Sequence, residues 1–230
     1  MSFQRSRVQA RTHRLIASRF PTVGVFDDIA ANEEELRVAF LLEDLTNARS
    51  HARLEALPEG GIASGPTASL AMAAFLHCAP EGGRFSDGDL GAWYAATDLQ
   101  TALAETLYHH ERRLRASAAG FPARIQMREL VVRLDADLLD LRGAQASHPE
   151  LYAASDYGRS QAFARERRWP YAEPGEDGFV FDSVRRDGGV NVVIFRPAAL
   201  PLPIGQGAHY EYVWDASGDL TVLKLSLVKR

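Results

Sequence analysis

The chain has 230 residues, which is enough for one well-buried domain and too few for two domains of ordinary size. Its composition, with 46% hydrophobic and 24% charged residues, excludes a largely disordered protein. A net charge of −4 argues against a general nucleic-acid binder, because such domains are usually basic.

The N-terminal third of the sequence predicts one extended segment and two helices. Residues 11–26 read as a short strand that breaks at Pro21. Asn32 and the three glutamates after it resemble a capping box, which opens a helix. The apolar face of that helix comprises Leu36, Phe40, Leu41 and Leu45. After a glycine-rich loop over 58–66, residues 68–78 predict a buried helix. This helical pair shows no recognisable chemistry, and we interpret it as scaffold.

The glycine-rich run over residues 83–96 places three functional groups close together along the chain. Its turn presents Arg84, and a short strand after it presents Tyr94. Thr97-x-x-Gln100 is a second capping box and opens a helix that reaches about residue 114. Glu105 lies on this helix, away from the buried stripe formed by Leu99, Leu103 and Leu107. A cation, an aromatic ring and a carboxylate together suit a substrate with phosphates, a flat ring and a bond that breaks with developing positive charge, as in NAD.

The C-terminal half of the sequence predicts mainly strands. One strand covers residues 125–134, and a helix covers 155–167. The remaining strands form two pairs, 178–185 with 190–195, and 210–214 with 220–228. Strands and helices alternate without a repeating βαβ order, so the sequence predicts an α+β fold rather than a doubly wound sheet.

Several familiar sites are absent from the sequence. It has no dinucleotide-binding glycine motif, no P-loop and no H-E-x-x-H zinc motif. The single cysteine, Cys78, excludes an intramolecular disulfide and a cysteine-rich zinc site. His109 and His110 lie beside Glu105 on the same predicted helix, but a metal site needs more ligands, so we expect no metal.

The sequence shows neither a membrane span nor a secretory signal. No apolar run approaches the roughly 18 residues of a membrane span. The arginine-rich N-terminus lacks the apolar core of a secretory signal, so we expect a cytoplasmic protein.

Of 26 basic residues only Lys224 and Lys229 are lysines. A bound phosphate would therefore be held by arginine or by backbone amides, and the arginine fork binds two oxygens at once.

Each candidate residue also has an ordinary structural explanation. Arg84 is equally a solvated loop arginine, and Glu105 a surface carboxylate near a helix N-terminus. Tyr94 is equally a core residue, and Ser183 a hydroxyl bonded to the backbone of its turn. From residue types and spacing alone, the chain is a soluble α+β domain with a candidate anion site.

Three stretches of the chain resemble the RES domain family, the bacterial toxins of toxin–antitoxin pairs named for their Arg, Glu and Ser residues. The stretches are 12–21, 82–109 and 178–197. They contain, in the family's order, Arg14, Arg84, Glu105 and Ser183. The segments 45–49 and 157–161 also resemble family positions, so the resemblance extends from about residue 12 to 215.

Two positions depart from the family pattern. An aromatic residue usually precedes the first family arginine, and His13 stands there instead. Asn191 occupies a position where cysteine or another small residue is expected. Neither departure removes a named catalytic group, although His13 bears on the packing around Arg14.

The resemblance implies a fold and an activity. It implies a single RES domain over residues 1–230, with its core at about 12–215 and a helical insertion at about 27–80. The core would be a mixed, ADP-ribosyltransferase-like β-sheet flanked by helices. Family members degrade NAD, some by phosphorolysis to nicotinamide and ADP-ribose phosphate, so the resemblance implies an NAD phosphorylase or NAD glycohydrolase. NAD is expected as substrate and inorganic phosphate as co-substrate, with no separate cofactor.

The resemblance also implies roles for individual residues. Glu105 would stabilise the positive charge that develops on the ribose as nicotinamide leaves. Arg14 and Arg84 would hold the pyrophosphate or the incoming phosphate. Tyr94 would stack on nicotinamide or ribose, and Ser183 would hydrogen-bond the ribose or the bound phosphate. The catalytic set is thus Glu105, Arg84 and Ser183.

Alternatives remain open for the reaction and for the partners. An ADP-ribosyltransferase that modifies a protein would use the same site with a different acceptor, and a non-catalytic partner-binding domain is a third interpretation. The partner implied by the resemblance is an Xre-like helix-turn-helix antitoxin that occludes the NAD site. No direct contact with nucleic acid or membrane is expected, and a homodimer is compatible with the sequence.

Overall fold

A computed structural model describes residues 3–20, 26, 30, 32–43, 48–58 and 61–226 of the chain. Within these ranges the helices are α1 Glu33–Glu43, α2 Ala48–Glu55, α3 Ala68–Leu76, α4 Leu99–Ala116 and α5 Gly158–Arg165. The strands are β1 Arg5–Ala17, β2 Trp93–Ala96, β3 Ala123–Asp140, β4 Gly178–Asp182, β5 Val190–Ile194, β6 Gly205–Trp214 and β7 Leu220–Leu225. The predicted α+β class is confirmed.

The strands form one seven-stranded mixed sheet in the order β1-β2-β5-β4-β3-β6-β7. Only β3 and β4 pair in parallel among the described strands, and the other pairings are antiparallel. Because β1 also pairs with β3, the strands β1, β2, β5, β4 and β3 close into a ring. The strands β6 and β7 extend the sheet from the first half of β3.

The strands β1 and β3 are longer than the sequence predicts. They pair along the whole of β1, from Arg5 opposite Leu139 to Ala17 opposite Met127. Sequence pattern placed these strands at 11–26 and 125–134, because their ends carry charged residues that depress local strand propensity. The long antiparallel ladder overrides that weak local signal. The predicted break at Pro21 lies outside the described residues.

The N-terminal helices pack their apolar faces into the main core. Asn32 caps α1, since its Oδ1 accepts the Glu35 backbone N–H at 2.9 Å, which confirms the predicted cap. Leu36 and Phe40 are buried, as predicted. Leu45 and the family-like residues around it, 45–47, lie outside the described residues. The predicted buried helix is confirmed as α3, and α2 is an additional helix that the sequence did not indicate.

The cap of α4 differs from the prediction. Asp98, not Thr97, is the N-cap, because its carboxylate accepts the Thr101 backbone N–H at 3.0 Å and the Thr101 hydroxyl at 2.6 Å. Thr97 instead donates its backbone N–H to Val190 on β5, at 2.9 Å. The predicted stripe is confirmed: Leu103 is buried in the cluster between α4 and the sheet, and Leu99 and Leu107 pack against that cluster.

The C-terminal hairpins follow the prediction with shorter strands. The strand β4 ends at Asp182 rather than at residue 185, because Ser183 turns the chain and its N–H donates to Gly189 O. Gly188 has φ +68, a conformation that suits glycine in this turn. The helix predicted at 155–167 is confined to α5. No helix in the described part of the chain is both long and apolar enough to span a membrane.

We predict that Asp98→Ala lowers the free energy of unfolding by about 1 kcal/mol, because two donors at the start of α4 lose their acceptor. Urea unfolding of the purified protein measures this loss. Gln100→Ala is the matched control, since the side chain of Gln100 makes no capping hydrogen bond, and it should change stability by less than about 0.5 kcal/mol. A larger loss for Gln100→Ala than for Asp98→Ala would restore the predicted Thr97 capping box.

Candidate active site

A cavity of about 530 Å³ opens where β1 and β2 separate beneath α4. Arg14, Arg84, Tyr94 and Glu105, which are far apart in sequence, all line it. The structure therefore brings four of the five predicted site residues to one cavity. The fifth, Ser183, is buried behind Glu105 rather than on the cavity wall.

The turn that carries Arg84 is fixed by its glycines and by Tyr94. Gly82 has φ +71, and the Gly83 N–H donates to Ser86 O at 2.7 Å. A Cβ on Gly83 would lie 2.9 Å from the Tyr94 ring, so only glycine allows this contact. The Tyr94 hydroxyl accepts the Phe85 N–H at 2.8 Å and also contacts the Ser86 hydroxyl. Tyr94 thus holds the turn in addition to lining the cavity.

Helix α5 fastens the other side of the same turn. The side-chain amide of Gln161 donates to Glu81 O and to Gly83 O, each at 2.9 Å. One turn further along α5, Arg165 forms ion pairs with Asp87 and Asp89 at 2.5 and 2.7 Å. The turn is therefore held from two sides, which pre-organises the position of the arginine at its tip.

The guanidinium of Arg84 is buried and fixed in orientation. Its Nη1 donates to Leu151 O and Ala153 O, both at 2.9 Å, and its plane lies 4.9 Å from the Tyr157 ring centre. Burial lowers the pKa of Arg84 below its usual value, but an arginine remains protonated at neutral pH. Its Nε and Nη2 have no hydrogen-bond partner among the described residues, so they are available to a ligand.

Arg14 lies deep in the structure but keeps surface on the cavity. Its Nη1 donates to Tyr94 O at 2.9 Å, and its guanidinium lies 5.0 Å from the Trp93 ring centre. Burial lowers the pKa of Arg14 to about 10, which still leaves it cationic at neutral pH. Neither Arg14 nor Arg84 has an ion-pair partner in the described part of the chain. A buried and a half-buried cation, neither with a carboxylate ion-pair partner, favour an anionic ligand.

Glu105 is held in one orientation by the β4–β5 hairpin. Its Oε1 accepts the Ser183 hydroxyl and the Asn191 side-chain amide, each at 2.7 Å. Ser183 follows β4 and Asn191 lies on β5, so both strands of one hairpin contribute a hydrogen bond to Oε1 of Glu105. No described residue donates to Oε2, which is the oxygen left for chemistry in the cavity.

The hydroxyl of Ser183, which was predicted to contact ribose or phosphate, is already bonded within the protein. It donates to Glu105 and accepts the backbone N–H groups of Arg185 and Arg186, at 3.0 and 3.2 Å. A serine hydroxyl has one donor and two acceptor sites, so its hydrogen-bonding capacity is filled. This geometry favours a role in positioning Glu105 over the predicted contact with ribose or phosphate.

Sequence analysis missed three contributions to the site. Asn191 was noted only as a departure from a family pattern, although a lone polar residue in an apolar strand is a signal of a buried partner. Tyr157 lies against Arg84, which spacing in the sequence could not show. The C-terminal end of α3 was interpreted as scaffold, but His77 and Cys78 line the cavity. Burial raises the pKa of the Cys78 thiol, so it stays protonated.

The histidines on α4 are neutral in this environment. Burial, and then the surrounding arginines, lower the pKa values of His109 and His110 to about 4. Both line the cavity, and neither has a hydrogen bond to Glu105. Across the described residues, no group of three or more His, Cys, Asp and Glu side chains could hold a metal ion.

We predict that Ser183 and Glu105 are energetically coupled. A double-mutant cycle with Ser183→Ala and Glu105→Ala should give a coupling energy of about 1–3 kcal/mol, the range for a hydrogen bond to a charged group. Chemical unfolding of the four proteins measures it. The control cycle pairs Glu105→Ala with Ser86→Ala, because the Ser86 hydroxyl bonds Tyr94 rather than Glu105. In this cycle the two losses of stability should add within about 0.5 kcal/mol. Equal coupling in both cycles would contradict a specific contact.

Comparisons with known proteins identify the family of the chain. The chain is 28% identical over 212 residues to the uncharacterized protein y4oC of Sinorhizobium fredii (strain NBRC 101917 / NGR234), covering 89% of this chain and 83% of that protein. A chain in the crystal structure of the M. tuberculosis MbcT–MbcA toxin–antitoxin complex aligns with a TM-score of 0.46 and 15% identity, over 90% of this chain and 86% of that one. The model of the RES domain matches residues 62–215, more than half of the chain, and the chain therefore belongs to the RES domain family.

Proposed function

We propose that this protein is the toxin component of a toxin–antitoxin system and that it breaks the nicotinamide–ribose bond of NAD. The observation that carries the proposal is the cavity, in which two arginines without a carboxylate partner share a wall with a rigidly held glutamate. Membership of the RES domain family supports the same activity.

The proposed chemistry matches Glu105, the one carboxylate that lines the cavity among the described residues. Nicotinamide is cationic in NAD and leaves as a neutral ring, so the reaction needs no strong general acid. Positive charge develops on the ribose as the bond breaks, and an ionised carboxylate stabilises it electrostatically. Glu105 supplies this group through Oε2, because Oε1 is already bound by Ser183 and Asn191.

The arginines match the anionic part of NAD. Arg84 has two nitrogens without a described partner, and a guanidinium fork binds two phosphate oxygens with defined geometry. Arg14 adds a second cation on the same cavity. A cavity of about 530 Å³ is within the usual range for small-molecule sites, roughly 300–1,000 Å³.

The acceptor that we propose is inorganic phosphate. A phosphate oxygen would form a bond to C1′ of the ribose while the C1′–N bond breaks and its electron pair passes to the nicotinamide ring. The products are nicotinamide and ADP-ribose phosphate. The two arginines would attract the incoming phosphate as well as the pyrophosphate of NAD. An ADP-ribosyltransferase would use the same site with a protein acceptor.

We further propose that the partner is a small Xre-like helix-turn-helix antitoxin that covers the cavity. Occlusion of the cavity is sufficient for inhibition, because NAD must reach both the arginines and Glu105. Under this proposal the protein acts in the cytoplasm, where NAD is available, and DNA contacts belong to the antitoxin.

The purified protein without antitoxin tests the activity when it is mixed with NAD, with and without phosphate. We expect NAD to be consumed and phosphate to accelerate its loss. If NAD loss requires a protein acceptor and ignores phosphate, the transferase alternative is correct. If NAD is untouched under all these conditions, the proposed function is wrong.

We predict that Glu105→Gln lowers kcat by about 10²-fold or more, with a much smaller effect on NAD binding, because the lost charge acts mainly in the transition state. Gln keeps the size and an acceptor oxygen, so the fold should persist. Glu111→Gln on the same helix is the control and should keep wild-type kcat. In a host without antitoxin, wild type should arrest growth and Glu105→Gln should not. Wild-type NAD turnover by folded Glu105→Gln would refute this role.

We predict that Arg84→Ala raises the KM for NAD or for phosphate, because a clamp binds ground state and transition state alike. Arg84→Lys should recover little, since a point charge cannot reproduce the fork. Steady-state kinetics with each substrate measures both effects, and Arg115→Ala, an exposed arginine on α4 that pairs with Glu111, is the control. A change in kcat alone, with binding intact, would contradict the clamp.

A further inference from the structure

A second carboxylate, that of Glu129 on β3, pairs with His13, the residue directly before Arg14 on β1. His13 contacts Glu129 through Nδ1 and Oε1 at 2.5 Å, and the two side chains are only 14% and 6% exposed. The other carboxylate oxygen, Oε2, accepts the Ala208 N–H at 2.9 Å. In the tautomer of His13 that donates from Nδ1 to this carboxylate, Nε2 carries the lone pair of the ring.

The backbone of the sheet is adapted to hold this carboxylate. The pairing of β3 with β6 shifts register between Arg128 and Leu130, so Glu129 lies at the irregularity. Opposite it, a Cβ on Gly207 would lie 2.2 Å from Oε2, so a larger residue would displace the carboxylate. Bulges of this kind often aim a side chain beside an active site.

His13 is also part of the wall of the cavity described above, together with Arg14 and Glu105. Nε2 of His13 has no hydrogen-bond partner among the described residues. It is also absent from the fully buried polar atoms that lack a partner, so Nε2 is not sealed from solvent. A histidine oriented by a buried carboxylate, with a neutral nitrogen on a cavity, has the geometry of a general base.

We propose that His13, oriented by Glu129, is a general base that activates water, so that the cavity also hydrolyses NAD. This inference rests on the proposed function. The water oxygen bonds to C1′ of the ribose while the C1′–N bond breaks and its electron pair neutralises the nicotinamide ring. The water proton passes to Nε2 of His13 and then to solvent. The products are nicotinamide, ADP-ribose and one proton, and Glu129 stabilises the transient imidazolium.

The two acceptors differ in their need for this base. Water is a very weak acid and a weak nucleophile until a proton is removed. Inorganic phosphate is already anionic at neutral pH and attacks without such help. His13 therefore acts on hydrolysis far more than on phosphorolysis, and the ratio of the two products reports its role.

His13→Asn tests the proposal, because the asparagine amide can still donate to Glu129 but has no basic nitrogen. The measurement is the rate of formation of ADP-ribose without phosphate and of ADP-ribose phosphate with phosphate, each identified by mass. We expect hydrolysis to fall by about 10²-fold or more, the usual contribution of a general base. Phosphorolysis should fall by about tenfold at most. Glu129→Gln should lower the hydrolysis rate in the same direction.

His209→Asn, an exposed histidine on β6, is the matched control and should change neither rate, and thermal melting verifies that each variant is folded. Equal losses of both reactions in His13→Asn would show a purely structural role and overturn the proposal. Unchanged hydrolysis in His13→Asn, or a wild type that forms ADP-ribose phosphate but no ADP-ribose, would also overturn it and leave the proposed function intact. A wild type that leaves NAD intact would instead refute the proposed function.

Discussion

The site depends on keeping Arg84, which is buried, and Arg14, which is half-buried, charged without an ion-pair partner among the described residues. Burying a cation costs free energy unless other groups compensate for the lost water. The protein compensates with backbone carbonyls and aromatic faces: Leu151 O, Ala153 O and the Tyr157 ring for Arg84, and Tyr94 O and the Trp93 ring for Arg14. This compensation is partial, since neutral dipoles do not cancel a charge. An anionic ligand completes it, which is why these elements converge on one cavity.

The carboxylate that lines the cavity is treated differently. Glu105 could pair with Arg84 and thereby neutralise the anion site. Ser183 and Asn191 instead hold its Oε1 from behind, and Ser183 is itself fixed by two backbone N–H groups. The hairpin therefore keeps Glu105 and the arginines as separate charges. A substrate that is anionic at one end and becomes cationic at the other can use both.

The sequence predicted the local elements of the fold well and their assembly poorly. Helix caps and the spacing of apolar residues along a helix are local patterns, so the sequence predicted the start of α1 and the buried face of α4. The sequence could not show that Asp98 rather than Thr97 is the N-cap of α4, because both residue types suit that position. Only the backbone hydrogen bond of Thr97 to β5 decides between them. The lengths of β1 and β3 were underestimated because their ladder joins segments that are distant in sequence.

The same limit applies to the site. Residue types and spacing indicated Arg84 and Glu105, the resemblance added Arg14, and the three lie together in the structure. The contact of Ser183 with Glu105, and the pair formed by His13 and Glu129, join residues on different elements and leave no mark in sequence spacing. Residue types indicate which chemistry is available, whereas only the fold shows which groups are already bonded to each other.

A crystal structure of the Glu105→Gln protein with NAD tests the account most directly. The account predicts that NAD occupies the cavity with its pyrophosphate on the Arg84 fork. The bond between nicotinamide and ribose should lie beside the side-chain atom that replaces Oε2 in this variant, with Ser183 still bonded to the side chain at position 105. An NAD molecule bound elsewhere, or one bound here with its ribose turned away from position 105, would contradict it.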